Sequence, residues 1–207
     1  MRHCYGNPCR EAPRDERFKN SKKLLDLTRG RPSSEQLDLS DNLETAIKGD
    51  FIQDKVDTRN YGLLEGLPSA RKLAGWVLNS DPANIFVNGT SSLTLLGHYL
   101  QIMIFHGDGH GAWKDLDKVT FLCPVPGYDR HFAMLEKLGI KMIPVPLEGD
   151  GPELDSIENL LETEETITGM ICVPKHSNPT GEIFSKEKVE ALANIKRDGF
   201  KIKFLFF

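Results

Sequence analysis

The sequence predicts an α/β fold of three layers, a mostly parallel sheet with helices on both faces. Three observations predict it. From Asn84 onward, short apolar runs rich in β-formers alternate with longer helical patterns, the order expected of βα units. Runs such as "KVTFLC" and "TGMICV" are apolar almost throughout, which suits strands buried on both faces. The composition, 39% hydrophobic and 27% charged, is that of a globular chain able to build such a core.

The elements follow in order. Residues 1–23 are polar and rich in Arg, Asp, Glu and Pro, and read as a mobile arm. "KLLDLTRGRPSSEQLDLSDN" reads as a short strand, a turn and a helix entry. "NLETAIKGDFI" places Leu43, Ile47 and Phe51 on one helical face. A turn-rich stretch, "DTRNYGLLEGLPSA", leads into a helix over "PSARKLAGWVL", with Pro68 in the first turn where proline is tolerated. The alternation then runs as follows: strand "NIFV", helix "TSSLTLLGHYLQIMIF", strand "KVTFLC", helix "YDRHFAMLEKLG" closed by Gly139. Next come strand "IKMIPVPL", helix "LDSIENLLETE", strand "TGMICV", helix "KEKVEALANIKRDG" capped by Ser185, and strand "FKIKFLFF".

Several function classes lose support. The net charge is −4 with both signs scattered, so no basic stripe marks a nucleic-acid partner. No apolar run reaches the ~20 residues that span a bilayer, and the N-terminus has no signal-peptide core. Cys123 and Cys172 lie in strand-like runs and read as small buried hydrophobes in a reducing, cytoplasmic compartment. Cys4, Cys9 and His3 lack the spacing of a zinc site, and "HGDGHG" reads as plain loop, so no metal is expected.

Four stretches can carry chemistry. "VNGTSSL" joins a strand to a helix; Gly89 permits a tight turn, and Thr90, Ser91 and Ser92 set hydroxyls beside the free N–H groups of the first helical turn. That is a phosphate site in principle, or simply a capped helix. "NYGLLEGLPSAR" offers Tyr61 and Arg71, which reach an anion or sit as a solvated turn and a surface charge. "CPVPGYDRHF" puts Tyr128 at the C-terminal edge of a strand, where parallel sheets bind ligands. "VPKHSNPTGE" follows an apolar strand with an Asn-Pro-Thr-Gly turn that presents Asn178.

In this order, over roughly residues 18–204, these motifs resemble the aspartate-aminotransferase superfamily of pyridoxal-phosphate (PLP) enzymes, the class I/II aminotransferases. "LDLTRGRPSSEQLDLS", "CPVPGYDRHF" and "VPKHSNPTG" are similar to a branch described as MocR-like or alanine–glyoxylate aminotransferase-like. The resemblance implies a transferase that moves an amino group between an amino acid, such as aspartate or alanine, and a 2-oxo acid. It implies pyridoxal 5'-phosphate as cofactor, with Gly89, Thr90 and Ser91 on its phosphate and Asn178 donating to the phenolic oxygen of its ring. Tyr128 is implied at the cofactor. Tyr61 is implied to reach the phosphate of a neighbouring subunit, hence a homodimer. Gly30 is implied in the segment that closes over the substrate carboxylate; Arg29 and Arg31 beside it suit a second carboxylate, or sit as solvated loop charges. The usual ring-stacking aromatic is replaced by Val125, so Tyr128, His131 or aliphatic carbon covers the ring face.

The same resemblance implies domains: an arm over residues 1–23, an N-terminal small-domain segment and linker over 24–75, and a partial cofactor-binding major domain over 76–207. The family's pyridine-pairing Asp, its Schiff-base Lys and its substrate-clamping Arg follow later in such chains and have no counterpart in these 207 residues. The expectation is therefore a truncated chain, inactive alone. Another reaction of the superfamily, a β-lyase or decarboxylase, and a non-catalytic remnant stay open as alternatives.

Overall fold

The computed structural model describes residues 32–46, 49–109, 111–195 and 203–206. It divides into two compact units, residues 1–62 and 63–207. The expected arm over 1–23 and the strand near Lys23 lie outside the described residues.

In the first unit, helix α1 (Ser34–Asp38) opens on a capping box. Gln36 N–H donates to Ser33 Oγ (3.3 Å), and Ser33 N–H donates to Gln36 Oε1 (2.8 Å). Helix α2 covers Leu43–Ala46. The expected helix reached Phe51, but Gly49 takes φ +75° and Phe51 lies beyond it, outside any helix. A left-handed glycine is a usual helix stop. A hairpin follows, β1 (Ile52–Gln53) against β2 (Val56–Asp57), turned through Asp54 and Lys55, both at positive φ as a tight two-residue turn demands. Arg59 bonds Asp57 (2.9 and 2.6 Å) and lies 5.0 Å over the Phe51 ring.

The second unit opens with α3 (Pro68–Leu78), with Pro68 in its first turn and left-handed Asn79 as its C-cap. Helix α4 (Ser92–Phe105) is capped by Ser91, whose Oγ accepts the Thr94 N–H (3.3 Å). Then the sheet begins: β3 (Thr120–Val125), α5 (Asp129–Lys137), β4 (Lys141–Pro146), α6 (Leu154–Thr163), β5 (Ile167–Cys172), α7 (Lys186–Asn194) and β6 (Lys203–Phe206). All pairings are parallel, in the order β4-β3-β5-β6. Ser185 caps α7, and Gly139 (φ +72°) stands just past the end of α5, both as expected.

Each face of the sheet carries a core. On one, Leu96, Leu100 and Met103 of α4 and Leu135 of α5 pack with Phe121 and Cys123 of β3. On the other, Ile157 of α6 and Leu192 of α7 pack with Leu122, Val145, Met170 and Cys172. This is the three-layer arrangement the alternation predicts. A register shift at Thr120/Phe121 sets Phe121 opposite Gly169. The Phe121 ring lies so close that a Cβ on Gly169 would stand 2.5 Å from it. That ring also meets Trp113 edge-on, with centroids 5.5 Å apart.

The edge strand β4 has a distinctive pattern. Lys141 N–H donates to Val119 C=O (2.9 Å) and Leu147 N–H to Val125 C=O (3.2 Å). Odd-numbered amides of β4 thus face β3, and Pro144 and Pro146 occupy the outward-facing positions.

One expected strand is absent. "NIFV" begins at the last residue of a 3₁₀ turn (Pro82–Asn84) and continues without a ladder; Asn84 and Ile85 N–H close that turn onto Asp81 and Pro82 C=O, and Val87 N–H donates to Glu65 C=O (3.0 Å). The residues have β-propensity, but no described strand lies beside them to pair with. Phe86 is accordingly 67% exposed. With Leu95, Ile102 and Phe105 of α4 it lines an apolar groove of about 590 Å³.

Candidate functional site

The strand order locates the site. From β3 the chain passes to β4 on one side, then crosses back to β5 on the other. The loops leaving the C-terminal ends of β3 and β5 therefore part around one crevice, the place where open parallel sheets take ligands. The β3 loop carries Gly127 and Tyr128; the β5 loop carries Ser177 and Asn178. The two loops meet: Pro124, Gly127, Tyr128, Val173 and Ser177 together line one small cavity of about 10 Å³. That volume suits one water at most.

The β3 loop is tightly built. A Cβ on Gly127 would come 2.7 Å from Pro124 C=O and 2.6 Å from the Phe132 ring, so only glycine fits. Tyr128 precedes α5 and meets the His131 ring edge-on at 5.0 Å. His131 is buried, and burial pushes its imidazole below the usual histidine range, toward the neutral form. Val125 is half-buried at the last position of β3.

The β5 loop closes on itself. Ser177 N–H donates to Glu182 C=O (2.8 Å) and Gly181 N–H to Ser177 C=O (2.5 Å). Ser177 is buried, whereas Asn178, Pro179 and Thr180 are exposed. The turn therefore lifts the Asn178 carboxamide off the sheet edge into solvent.

Gly89, Thr90 and Ser91 stand at the start of α4, with Gly89 at φ +51° and all three exposed. Ser91 Oγ is spent as an acceptor for the helix, but its O–H remains a donor. The first amides of α4 have no intrahelical partner by geometry. Helix α4 packs on the same face as α5, where Gly97 lies against Met134. Tyr61 belongs to the first unit and is 96% exposed. Gly30, Arg29 and Arg31 lie outside the described residues.

Arg71 is not the loose surface charge its position suggested. It donates to Glu65 (2.5 Å) and to the Pro82 and Ala83 carbonyls (3.1 and 3.2 Å), tying α3 to the segment before "NIFV". Among the described residues no group of three or more His, Cys, Asp or Glu side chains is placed to hold a metal.

Sequence reasoning missed Glu182 and Lys188. Glu182 Oε1 accepts N–H groups from Gly149 (3.0 Å) and Gly151 (2.7 Å), and Lys188 Nζ pairs with Glu148 (2.6 Å) and Asp150 (2.9 Å). Burial works against the Lys188 charge, but its hydrogen bonds to Glu148 and Asp150 outweigh it and hold its pKa above the ordinary lysine value. The Lys188 ammonium in turn holds Asp150 below the ordinary carboxylate range. These partners are about 30 or more residues apart, and the only local hint was the pair of glycines in "EGDGP".

The chain is similar to known proteins along most of its length. The family described as "Aspartate amino-transferase" matches residues 11–205. A Mycolicibacterium smegmatis protein, provisionally named an aminotransferase, is 42% identical over 178 residues, covering 83% of this chain and 41% of its own length. The crystal structure of an aspartate transaminase from Corynebacterium glutamicum is 37% identical with a TM-score of 0.78, covering 86% of this chain and 43% of that one. A histidinol-phosphate aminotransferase from Sinorhizobium meliloti, solved with pyridoxal-5'-phosphate, shares the fold (TM-score 0.52) at 19% identity, over 72% of this chain and 36% of that one. The chain thus spans about two fifths of the length of these relatives.

Proposed function

The chain belongs to the aspartate aminotransferase family, and from that premise we propose that it is the cofactor-cradling part of a PLP-dependent enzyme that moves amino groups between an amino acid and a 2-oxo acid. The observation that carries this reading is the crevice between β3 and β5, where the loops bearing Tyr128 and Asn178 share one cavity wall.

The residues present fit pyridoxal 5'-phosphate. Ser91 has a free O–H donor at a helix N-terminus, where the dipole and first-turn amides favour an anion, and exposed Thr90 adds a second hydroxyl. Gly89 keeps space open around that turn; a Cβ there would meet nothing within 4 Å. Asn178 stands clear of the sheet with its amide available, so it donates to the ring's phenolic oxygen and favours the anion there. Tyr128 closes the mouth from the β3 side. The bound cofactor supplies the electron sink for amino transfer.

The finer assignments belong to the same proposal. Tyr61, almost wholly exposed, is the residue that reaches a second copy, which makes the working form a homodimer. Gly30 and Arg29 serve the substrate carboxylate. No helix among the described residues is long and apolar enough to cross a membrane; we place the protein in the cytoplasm on the reducing character that buried Cys123 and Cys172 suit.

Binding tests the reading directly. The purified chain, titrated with pyridoxal 5'-phosphate, is expected to bind saturably and more tightly than it binds pyridoxal. Ser91→Ala and Asn178→Ala should each weaken binding about tenfold, the size of one hydrogen bond to a charged group. Absence of saturable binding, or binding that neither substitution changes, overturns the proposal.

A further inference from the structure

Asn178 makes no hydrogen bond of its own among the described residues, so where its carboxamide stands depends on the turn beneath it. What holds that turn is therefore a question about the site. Three backbone bonds close it, from Ser177 to Glu182, from Gly181 to Ser177 and from Phe184 to Pro174. A closed ring of backbone can still rock as a unit. Its orientation against the sheet depends also on side-chain bonds to another segment.

Glu182 makes those bonds. One carboxylate oxygen, Oε1, accepts the Gly149 N–H at 3.0 Å and the Gly151 N–H at 2.7 Å. Both glycines take positive φ, +94° and +128°, which turns their amides toward the carboxylate. The segment they belong to is itself pinned. Glu148 N–H donates to Gly151 C=O (2.9 Å), Ser185 N–H donates to Asp150 C=O (2.7 Å), and Lys188 of α7 reaches Glu148, Asp150 and the Gly151 carbonyl. Lys188 is largely buried, and a Cβ on Gly151 would touch its Cδ at 3.0 Å. The loop between β4 and α6 is thus a fixed post, and Glu182 is the strut from that post to the turn.

We infer that Glu182 is a positioning residue that acts through Asn178: by gripping the Gly149 and Gly151 amides it fixes where the Asn178 carboxamide stands over the β3–β5 crevice. The inference rests on the proposed cofactor reading for what Asn178 faces, but the mechanical claim does not. The Glu182 carboxylate is engaged by the Gly149 and Gly151 amides.

The two claims separate by experiment on the full chain. Amide hydrogen exchange reads the mechanical claim with no ligand present. Glu182→Ala should speed exchange at Gly149, Gly151, Ser177 and Gly181 about tenfold, while the β3 and β5 amides stay protected. Glu182→Gln, whose carbonyl oxygen accepts the same two N–H groups, should restore the parent pattern. Unchanged exchange at Ser177 and Gly181 in Glu182→Ala overturns the inference. Pyridoxal 5'-phosphate then reads the site. The pH midpoint of the bound ring's absorbance should rise in Glu182→Ala, as it does in Asn178→Ala, stay at the parent value in Glu182→Gln, and rise no further in the double variant. A parent-like midpoint in Glu182→Ala, or additive shifts in the double variant, also overturns it. Failure of the parent to bind the cofactor sinks the proposed function alone, and the exchange data still decide whether Glu182 holds the turn.

Discussion

At the scale of single residues, the core tolerates little. Gly169 faces the Phe121 ring, and a methyl group there would stand 2.5 Å from it. Trp113 packs edge-on against the same ring and limits its freedom to move. Gly169→Ala is expected to cost about 1–3 kcal/mol, the usual size of overpacking, read as a lower urea midpoint together with a changed near-UV circular dichroism of Trp113. The thiols make a second test. Burial pushes Cys123 and Cys172 up to about 12, with the neighbouring Cys123 adding to the effect at Cys172. A raised folded pKa means the folded state keeps a proton that the unfolded state releases. Their contribution is full below the unfolded thiol pKa and is lost as pH climbs toward 12. Unfolding free energy should therefore fall between about pH 9 and 11, by up to ~1.4 kcal/mol per pH unit per thiol. The slope should flatten in Cys123→Ala and Cys172→Ala.

At the scale of elements, caps divide structure from function. Ser185 Oγ accepts the Lys188 N–H at 3.3 Å and Ser91 Oγ accepts the Thr94 N–H at 3.3 Å, so the two serines do the same mechanical work. Each Ser→Ala change should destabilise by about 1 kcal/mol in urea titration. Under the proposed function only Ser91→Ala also weakens pyridoxal phosphate. These elements were legible in the sequence because their signals are local: Pro68 opening α3, Ser185 capping α7 and Gly139 ending α5 each act within one turn. "NIFV" misled because β-propensity reports a fit to a pleated surface, and pairing needs a neighbour that propensity cannot see. Glu182 escaped for a similar reason. Its partners, Gly149 and Gly151, lie on a different loop, and nothing within the Asn-Pro-Thr-Gly motif points to them. That the loops bearing Asn178 and Tyr128 leave the C-terminal ends of their strands could, by contrast, be read, because each follows a buried apolar run.

At the scale of the whole molecule, surface chemistry is uneven. Helix α4 buries Leu96, Leu100 and Met103 on one side yet shows Leu95, Ile102 and Phe105 on the other, beside exposed Phe86. A helix apolar on all sides is normally covered on all sides, so this groove should bind a fluorescent apolar dye. Ile102→Glu with Phe105→Glu should abolish most of that dye signal and raise solubility, with unfolding shifted by no more than about 0.5 kcal/mol, since neither side chain belongs to the packed face. Dye fluorescence and light scattering check both halves of the expectation. The two margins of the sheet differ as well. Along β4, the outward sites at Pro144 and Pro146 have no hydrogen to give, so a strand arriving there would find two rungs missing. Lys203–Phe206, on the opposite flank, contains no proline. Among the described strands the β-ladder is therefore shut on one side, at the Pro144 kerb.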